Sequence, residues 1–382
     1  MKTRTLLALG LVAVALLASA VTLYSKRSTT FAASAPEALY PDLISRVGEI
    51  TLIHVVGPKG EFHIDLNDSV WRLREKDGYP VRTERIRTAV LSLSDLKVIE
   101  PKTQKPENYA LIGVQDPAEG EPSILVEMKN QKGDNVVSII LGATERSAAQ
   151  GVSRRFVRLT DDPRAYFIEG VAAVETDPFR WLDKEVLRVT RAWTHDLTIT
   201  HPDGEVVRVQ RPNIDAKDFI FDALPQGAML KDTRDVNLIG NSMIYIGMED
   251  VASADSAPAD QITPGPVAVV HTFDGFIMTA HLFDFQGKTW ATFEASIGDS
   301  IEQTALDVDE DATPSASAPE LRSRDEVQAE VEKDNAKLHG WRFEMTESKT
   351  DLLSKRLSDL VAPPADSNSG DSPAAPAGPP AG

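Results

Sequence analysis

The chain opens on an unbroken apolar run and then changes to alternation. Leu6 to Tyr24 (LLALGLVAVALLASAVTLY) carries no charge; Lys2 and Arg4 precede it, and Lys26 and Arg27 follow it. A helix rising about 1.5 Å per residue over that length nearly crosses a ~30 Å hydrocarbon layer, so the pattern predicts an N-terminal transmembrane helix. The flanking cations almost balance, and the amino group tips the start toward the cytoplasm. A cleaved signal peptide ending at Ala18-Ser19-Ala20 competes with that reading, but the apolar run continues through Val21, Leu23 and Tyr24. Either way the body is expected outside the cytoplasm.

After a small-residue linker, Ser28 to Pro36, strand periodicity sets in. Ile50, Leu52, His54 and Val56 alternate with Thr51, Ile53 and Val55; after the Gly57-Pro58-Lys59-Gly60 turn, Phe62, Ile64 and Leu66 alternate again. This is the signature of a hairpin. Thr83 to Leu96 reads as a helix capped by Thr83, with Ile86, Val90 and Leu93 on one face. Strands are predicted over Ser123–Lys129, Val136–Leu141, Arg155–Leu159 and Ala165–Ile168, and a helical close over Pro178–Leu187.

The same order then recurs. Leu197 and Ile199, the turn Pro202-Asp203-Gly204-Glu205, and Val207 and Val209 repeat the opening hairpin. Ala228 to Met248 takes the helix position, and Val267–Phe273 with Phe276–Phe285 forms a hairpin closed by Asp274-Gly275. Trp341-Arg342-Phe343 echoes Arg155-Phe156, and Asp351–Leu360 echoes the closing helix. The expected fold is α+β, two tandem repeats of mainly antiparallel sheet with a packed helix, plus the N-terminal transmembrane helix. Residues 1–36 form the anchor and linker, 37–188 the first repeat and 189–362 the second. Disordered insertions are expected near 251–266 and 307–319, a charged helix over Ser323–Leu338, and a disordered tail over 363–382.

Composition narrows the function. The 382 residues carry a net charge of -18, with no acidic residue before Glu37, so the body repels phosphate backbones and nucleic acid is not an expected partner. The absence of cysteine excludes disulfides, thiolate nucleophiles and lipid attachment through a thiol. No nucleotide-binding glycine motif occurs, and Gly240-Asn241-Ser242 lacks the closing glycine of a nucleophile elbow, having Ile244 there.

The seven histidines are the remaining metal candidates. His63 shares a strand face with Glu61 and Asp65, which more simply reads as an exposed polar face. His54 falls on the Ile50, Leu52, Val56 face as a half-buried, hydrogen-bonded residue. A two-residue Asp274-Gly275 turn sets Phe273 opposite Phe276 and His271 opposite Met278, and points His281 to the other face; a bulged turn would change that. Asp161-Asp162 and Asp309-Glu310-Asp311 read as solvated charge in turns, and Trp71, Trp181, Trp193, Trp290 and Trp341 as core packing. No catalytic, cofactor or metal residue is expected.

Several segments together carry a resemblance. They are Trp71 with Gly78-Tyr79-Pro80, Tyr109 to Pro117 (YALIGVQDP), Ile139 to Gly142 (IILG), Arg154 to Arg158 (RRFVR), Asp177 to Lys184 (DPFRWLDK) and Leu352 to Leu360 (LLSKRLSDL). In these the chain resembles the bacterial domain-of-unknown-function family 4340, over nearly everything from Leu39 to Leu360. The resemblance implies one amino-terminal membrane segment in a bacterial inner membrane, a periplasmic or other extracytoplasmic body, and an association with gliding-type ABC transporters. It supplies no catalytic residue. The expected function is therefore a non-enzymatic accessory or scaffold of an ABC-type transport or envelope-assembly system. The alternative is an extracytoplasmic module for a small ligand or polysaccharide, with a pocket lined by Trp193, Trp290 and the histidines.

Overall fold

A computed structural model describes residues 36–118, 121–146, 153–221, 224, 228–301 and 320–362. The apolar run Leu6–Tyr24, the insertion expected over 307–319 and the tail over 363–382 lie outside the described residues. No helix among the described residues is long and apolar enough to cross a membrane. The chain divides into two compact units that meet between Leu182 and Asp183, and both are mostly antiparallel sheet with a few helices.

In the first unit the strands are β1 (Glu37–Ala38), β2 (Ile50–Gly57), β3 (Gly60–Asn67), β4 (Val70–Leu73), β5 (Tyr79–Pro80), β6 (Lys97–Pro101), β7 (Ile124–Asn130), β8 (Asn135–Arg146), β9 (Ser153–Leu159) and β10 (Ala165–Glu169). They form one ten-stranded sheet in the order β1-β6-β10-β9-β8-β7-β2-β3-β4-β5. Among the described residues three α-helices accompany it: α1 (Leu43–Arg46), α2 (Thr83–Ser94) and α3 (Tyr109–Ile112). The buried face of the β2–β3 hairpin is Ile53, Val55, Phe62 and Ile64, because a register shift between Ile50 and Leu52 moves Ile50 off the alternation that follows. His54 therefore stands on the opposite, polar face rather than with a buried set. Ile86, Ala89, Val90 and Leu93 are buried along one stripe of α2. Thr83 is the first helical residue and not the cap; Arg82 holds that place in extended conformation without a side-chain bond.

The helical close expected over Pro178–Leu187 is shorter than that. Asp177 accepts from Phe179 N at 3.0 Å and Pro178 starts a single 3-10 turn that ends at Trp181. Trp181 is 1% exposed, and Val81 bridges Leu182, which closes the first unit. Glu185–Arg188 is extended instead and begins the second sheet, with Val186 and Leu187 both buried.

The second unit has β11 (Glu185–Arg188), β12 (Thr194–Thr200), β13 (Val206–Gln210), β14 (Ile220–Phe221), β15 (Met229–Leu230), β16 (Tyr245–Ser253), β17 (Thr263–Thr272), β18 (Phe276–Phe285), β19 (Lys288–Ile297), β20 (Trp341–Met345) and β21 (Val361–Ala362). Its helices are α4 (Thr233–Gly240), α5 (Arg324–Leu338), α6 (Glu347–Leu353) and α7 (Leu357–Leu360). Nine strands form a sheet in the order β11-β16-β20-β19-β18-β17-β12-β13-β14. Each strand of this sheet stands where the strand ten places earlier stands in the first. β15 pairs with β21, Leu230 facing Val361, much as Val81 faces Leu182.

Three further expectations change. Residues 251–266 are ordered: Val251 is buried in β16, two 3-10 turns follow, and Ala257 with Ile262 packs on Phe285 and Trp290. Trp341–Met345 holds the position of β10 in the strand order, not that of Arg155-Phe156 in β9. Asp351–Leu360 is two short helices, because Ser354–Arg356 breaks the run between α6 and α7. The charged segment does form a helix, opened at Ser323 by a reciprocal capping box with Glu326.

Candidate functional site

The first unit carries an open apolar groove of about 430 Å³. One wall comes from α1 and the turn after it, through Ile44, Val47 and Gly48; the other comes from α2, through Ile86, Val90 and Leu91. Ile50, Leu66 and Trp71 form the base, and Leu66 and Trp71 are cross-strand neighbours in β3 and β4. Only Thr83 and Arg87 bring polar side chains to the lining. Ile44, Val47 and Leu91 are 52%, 46% and 48% exposed, so three large apolar side chains face solvent around one depression. Scattered exposed apolar residues are ordinary, whereas a contiguous set around a concavity marks a place where something apolar is covered. The β3–β4 link leaves the groove open. It is the two-residue turn Asp68-Ser69, both left-handed at φ 48° and 63°, which returns the chain at once into β4.

The polar candidates are tied into local pairs. His54 and His63 stack with ring centroids 4.4 Å apart. His54 Nδ1 lies 3.0 Å from Glu127 and its Nε2 lies 3.3 Å from Glu61; His63 Nδ1 lies 2.8 Å from Glu75. Asp65 holds Arg74 at 2.7 Å. Glu61, His63 and Asp65 thus share a face, but each engages a different neighbour. Burial pushes the Glu127 carboxyl up, and the bonds from His54 and Lys129 outweigh it, leaving the carboxyl below its ordinary range. Asp162 accepts from Tyr166 at 2.6 Å and from Arg164 N at 2.8 Å, a turn lock that lowers its carboxyl.

The hairpin β17–β18 has a different register from the one expected. Its loop is Phe273-Asp274-Gly275, and His271 faces Ile277 while Val270 faces Met278. Thr272 Oγ1 accepts from Phe276 N at 2.9 Å and donates to Asp274, and Gly275 takes φ 91°, so three residues close the turn. His271 and His281 therefore lie on one face after all. They remain apart: His281 pairs with Val267, four residues along β17 from His271, a span of roughly 13 Å at about 3.3 Å per residue. His271 instead meets a residue that sequence reading passed over. Asp196 is 2% exposed and lies 2.7 Å from His195 Nδ1 and 3.1 Å from His271 Nδ1. Burial raises its carboxyl, but the two imidazoles outweigh that and hold it well below the usual range. No group of three or more His, Asp or Glu side chains among the described residues could hold a metal ion.

Of the tryptophans, Trp181 and Trp290 are buried, Trp193 is covered by the Arg322 guanidinium at 4.2 Å, and Trp71 lies on the groove. Trp193 and Trp290 are occupied by these contacts rather than presented to a shared pocket with the histidines.

Residues 71–238 match the family described as Domain of unknown function (DUF4340). Over this stretch the chain is similar to that family. No curated protein and no solved structure matches the chain. The DUF4340 match is narrower than Leu39–Leu360. It runs from β4 to α4, takes in the segments Gly78–Pro80 through Asp177–Lys184, and leaves Leu352–Leu360 outside. It also divides the groove: Trp71 and the α2 wall lie inside the DUF4340 stretch, whereas Ile44, Val47, Ile50 and Leu66 precede it. The sequence signal for the groove was slight. Leu91, one place beyond Val90, widens the stripe of α2, and Ile44 and Val47 follow a buried Leu43.

Proposed function

We propose that the protein is a membrane-tethered, non-enzymatic docking protein, an accessory of an ABC-type transport or envelope-assembly system in a bacterial inner membrane. Its first unit receives a segment of a polypeptide partner in the extracytoplasmic space. The apolar groove between α1 and α2 carries this reading: its lining is nearly all aliphatic and aromatic, and its rim is exposed. A sugar or small polar ligand needs several convergent hydrogen-bonding groups, and this lining offers Thr83 and Arg87 alone, which favours a partner's apolar side chains. The uncharged run Leu6–Tyr24 supports the tether. The matching strand orders support an origin of the two units by internal duplication, one unit keeping an open groove for a partner.

The test is site-specific photo-crosslinking from position 91 in the full-length chain in membranes. Adducts with a transport or assembly protein, lost when Val90→Asp is added and absent from a probe at the exposed Leu111, are the expected result. Adducts with lipid alone, or none, overturn the proposal.

A further inference from the structure

In the second unit, the residues equivalent to three of the groove's lining residues hold a loop of the chain itself. Aligning the turns Pro58–Glu61 and Pro202–Glu205 sets Gly48 against Ala192 and Ile50 against Thr194, and aligning the helix ends Asp95 and Asn241 sets Leu91 against Asn237. In the first unit Gly48, Ile50 and Leu91 line the open groove. In the second, the equivalent residues hold an inserted loop. The β13–β14 link is not a tight turn but residues 211–219, folded back against α4. Arg211 donates to the carbonyls of Thr194 at 2.7 Å and Ala192 at 2.8 Å. Phe219 is 4% exposed, its backbone N–H donates to Asn237 Oδ1 at 3.0 Å, and its ring lies against Gly240 so closely that a Cβ there would stand 2.4 Å from Cγ.

The geometry points to an aromatic side chain on an extended peptide segment as the occupant of the first unit's groove. This inference rests on the docking reading and deepens it. Where the second unit supplies its own phenylalanine from a long β13–β14 loop, the first unit has the two-residue Asp68-Ser69 turn, and neither of those residues lines the groove. The groove is lined by side chains suited to such a ring: Trp71 at the base and Val47, Val90 and Leu91 at the sides. Leu91 replaces the asparagine that receives the Phe219 amide, so the incoming segment is held by its side chain more than by that backbone bond. Space also exists for a replacement built into the chain, since a Cβ at Gly48 meets nothing within 4 Å.

The experiment uses the full-length chain in lipid nanodiscs with 5-fluorotryptophan, whose five fluorine signals are assigned by substitution. Short uncharged peptides carrying one Phe, Leu or Ala at the centre are titrated in. The Phe peptide should shift the Trp71 signal alone, and replacing Phe by Ala should weaken binding at least about tenfold. Gly48→Phe should abolish the shift while leaving the urea midpoint of the chain unchanged. Equal binding of the Leu and Phe peptides overturns the aromatic inference and leaves the docking reading standing. A Trp71 shift with a fatty acid but with no peptide overturns both. So does a shift that follows chain concentration without peptide, which marks a second copy. A resting Trp71 signal altered by Phe31→Ala marks the chain's own amino-terminal segment as the occupant and overturns both as well.

Discussion

Gly240→Ala tests whether Phe219 fills the second unit in the way described. Alanine in a helix is favoured over glycine by up to about 1 kcal/mol, so propensity alone predicts a gain. Contact predicts the reverse. A Cβ at 240 stands 2.4 Å from Phe219 Cγ and 2.6 Å from both Cδ atoms, well inside the separation of any real Cβ contact. The ring cannot retreat freely, because Asn237 holds its backbone N–H and the Arg211 guanidinium lies 5.9 Å from its centroid. Overpacking of this kind costs roughly 1–3 kcal/mol, which exceeds the propensity gain. Urea denaturation should therefore show Gly240→Ala destabilised by about 1–2 kcal/mol. Phe219→Ala alone should cost about 3–5 kcal/mol through the cavity it leaves. In that background the alanine at 240 should become neutral or stabilising, giving a double-mutant coupling of about 2 kcal/mol. If Gly240→Ala matches or exceeds the wild type, Phe219 does not pack there and the comparison between the units fails.

Asp196→Asn should destabilise the second unit by roughly 2–3 kcal/mol at neutral pH, since hydrogen bonds to a charged group are lost. The carboxyl's folded pKa lies below its unfolded value, so its contribution is complete above about pH 4 and fades as pH falls through the folded pKa. Urea titrations from pH 7 downward should show the wild-type advantage shrinking at the acid end, and a constant difference contradicts the assignment. Arg322→Ala should cost about 3–5 kcal/mol, because the fully covered Asp274 carboxylate loses its partner at 2.8 Å; thermal unfolding reads the loss, and Arg322→Lys should restore only part of it. Arg211→Lys should lower the urea midpoint of the second unit, as one ammonium cannot reach the Thr194, Ala192, Ile214 and Ala216 carbonyls that the guanidinium spans.

The strands and their faces were legible wherever alternation met a turn of standard chemistry. Val207 and Val209, and Phe62 and Ile64, fall on buried faces as their spacing implies. Alternation failed where a bulge or a longer turn shifted it by one residue, at Ile50–Leu52 and at Phe273–Gly275, because period alone does not count inserted residues. β6 and β19 were not anticipated: the first follows α2 with only Val98 and Ile99 as apolar residues, and the second mixes alanine and threonine with Trp290 and Phe293. The 251–266 segment looked like low complexity, yet its ends belong to the paired strands β16 and β17, and between them Ala257 and Ile262 pack on an aromatic cluster. Asp196 escaped notice because its meaning depends on His271, seventy-five positions away. The groove escaped for the same reason: its walls come from separate segments, and openness is a property of what the short Asp68-Ser69 turn leaves uncovered.

Hydrogen–deuterium exchange of the full-length chain, compared between its native membrane and purified nanodiscs, tests the docking claim most directly. Slower exchange in the native membrane confined to Leu43–Ile50 and Thr83–Ser94, with Thr233–Gly240 unchanged, is the predicted result. Identical exchange in both settings, or protection that falls on the second unit instead, contradicts it.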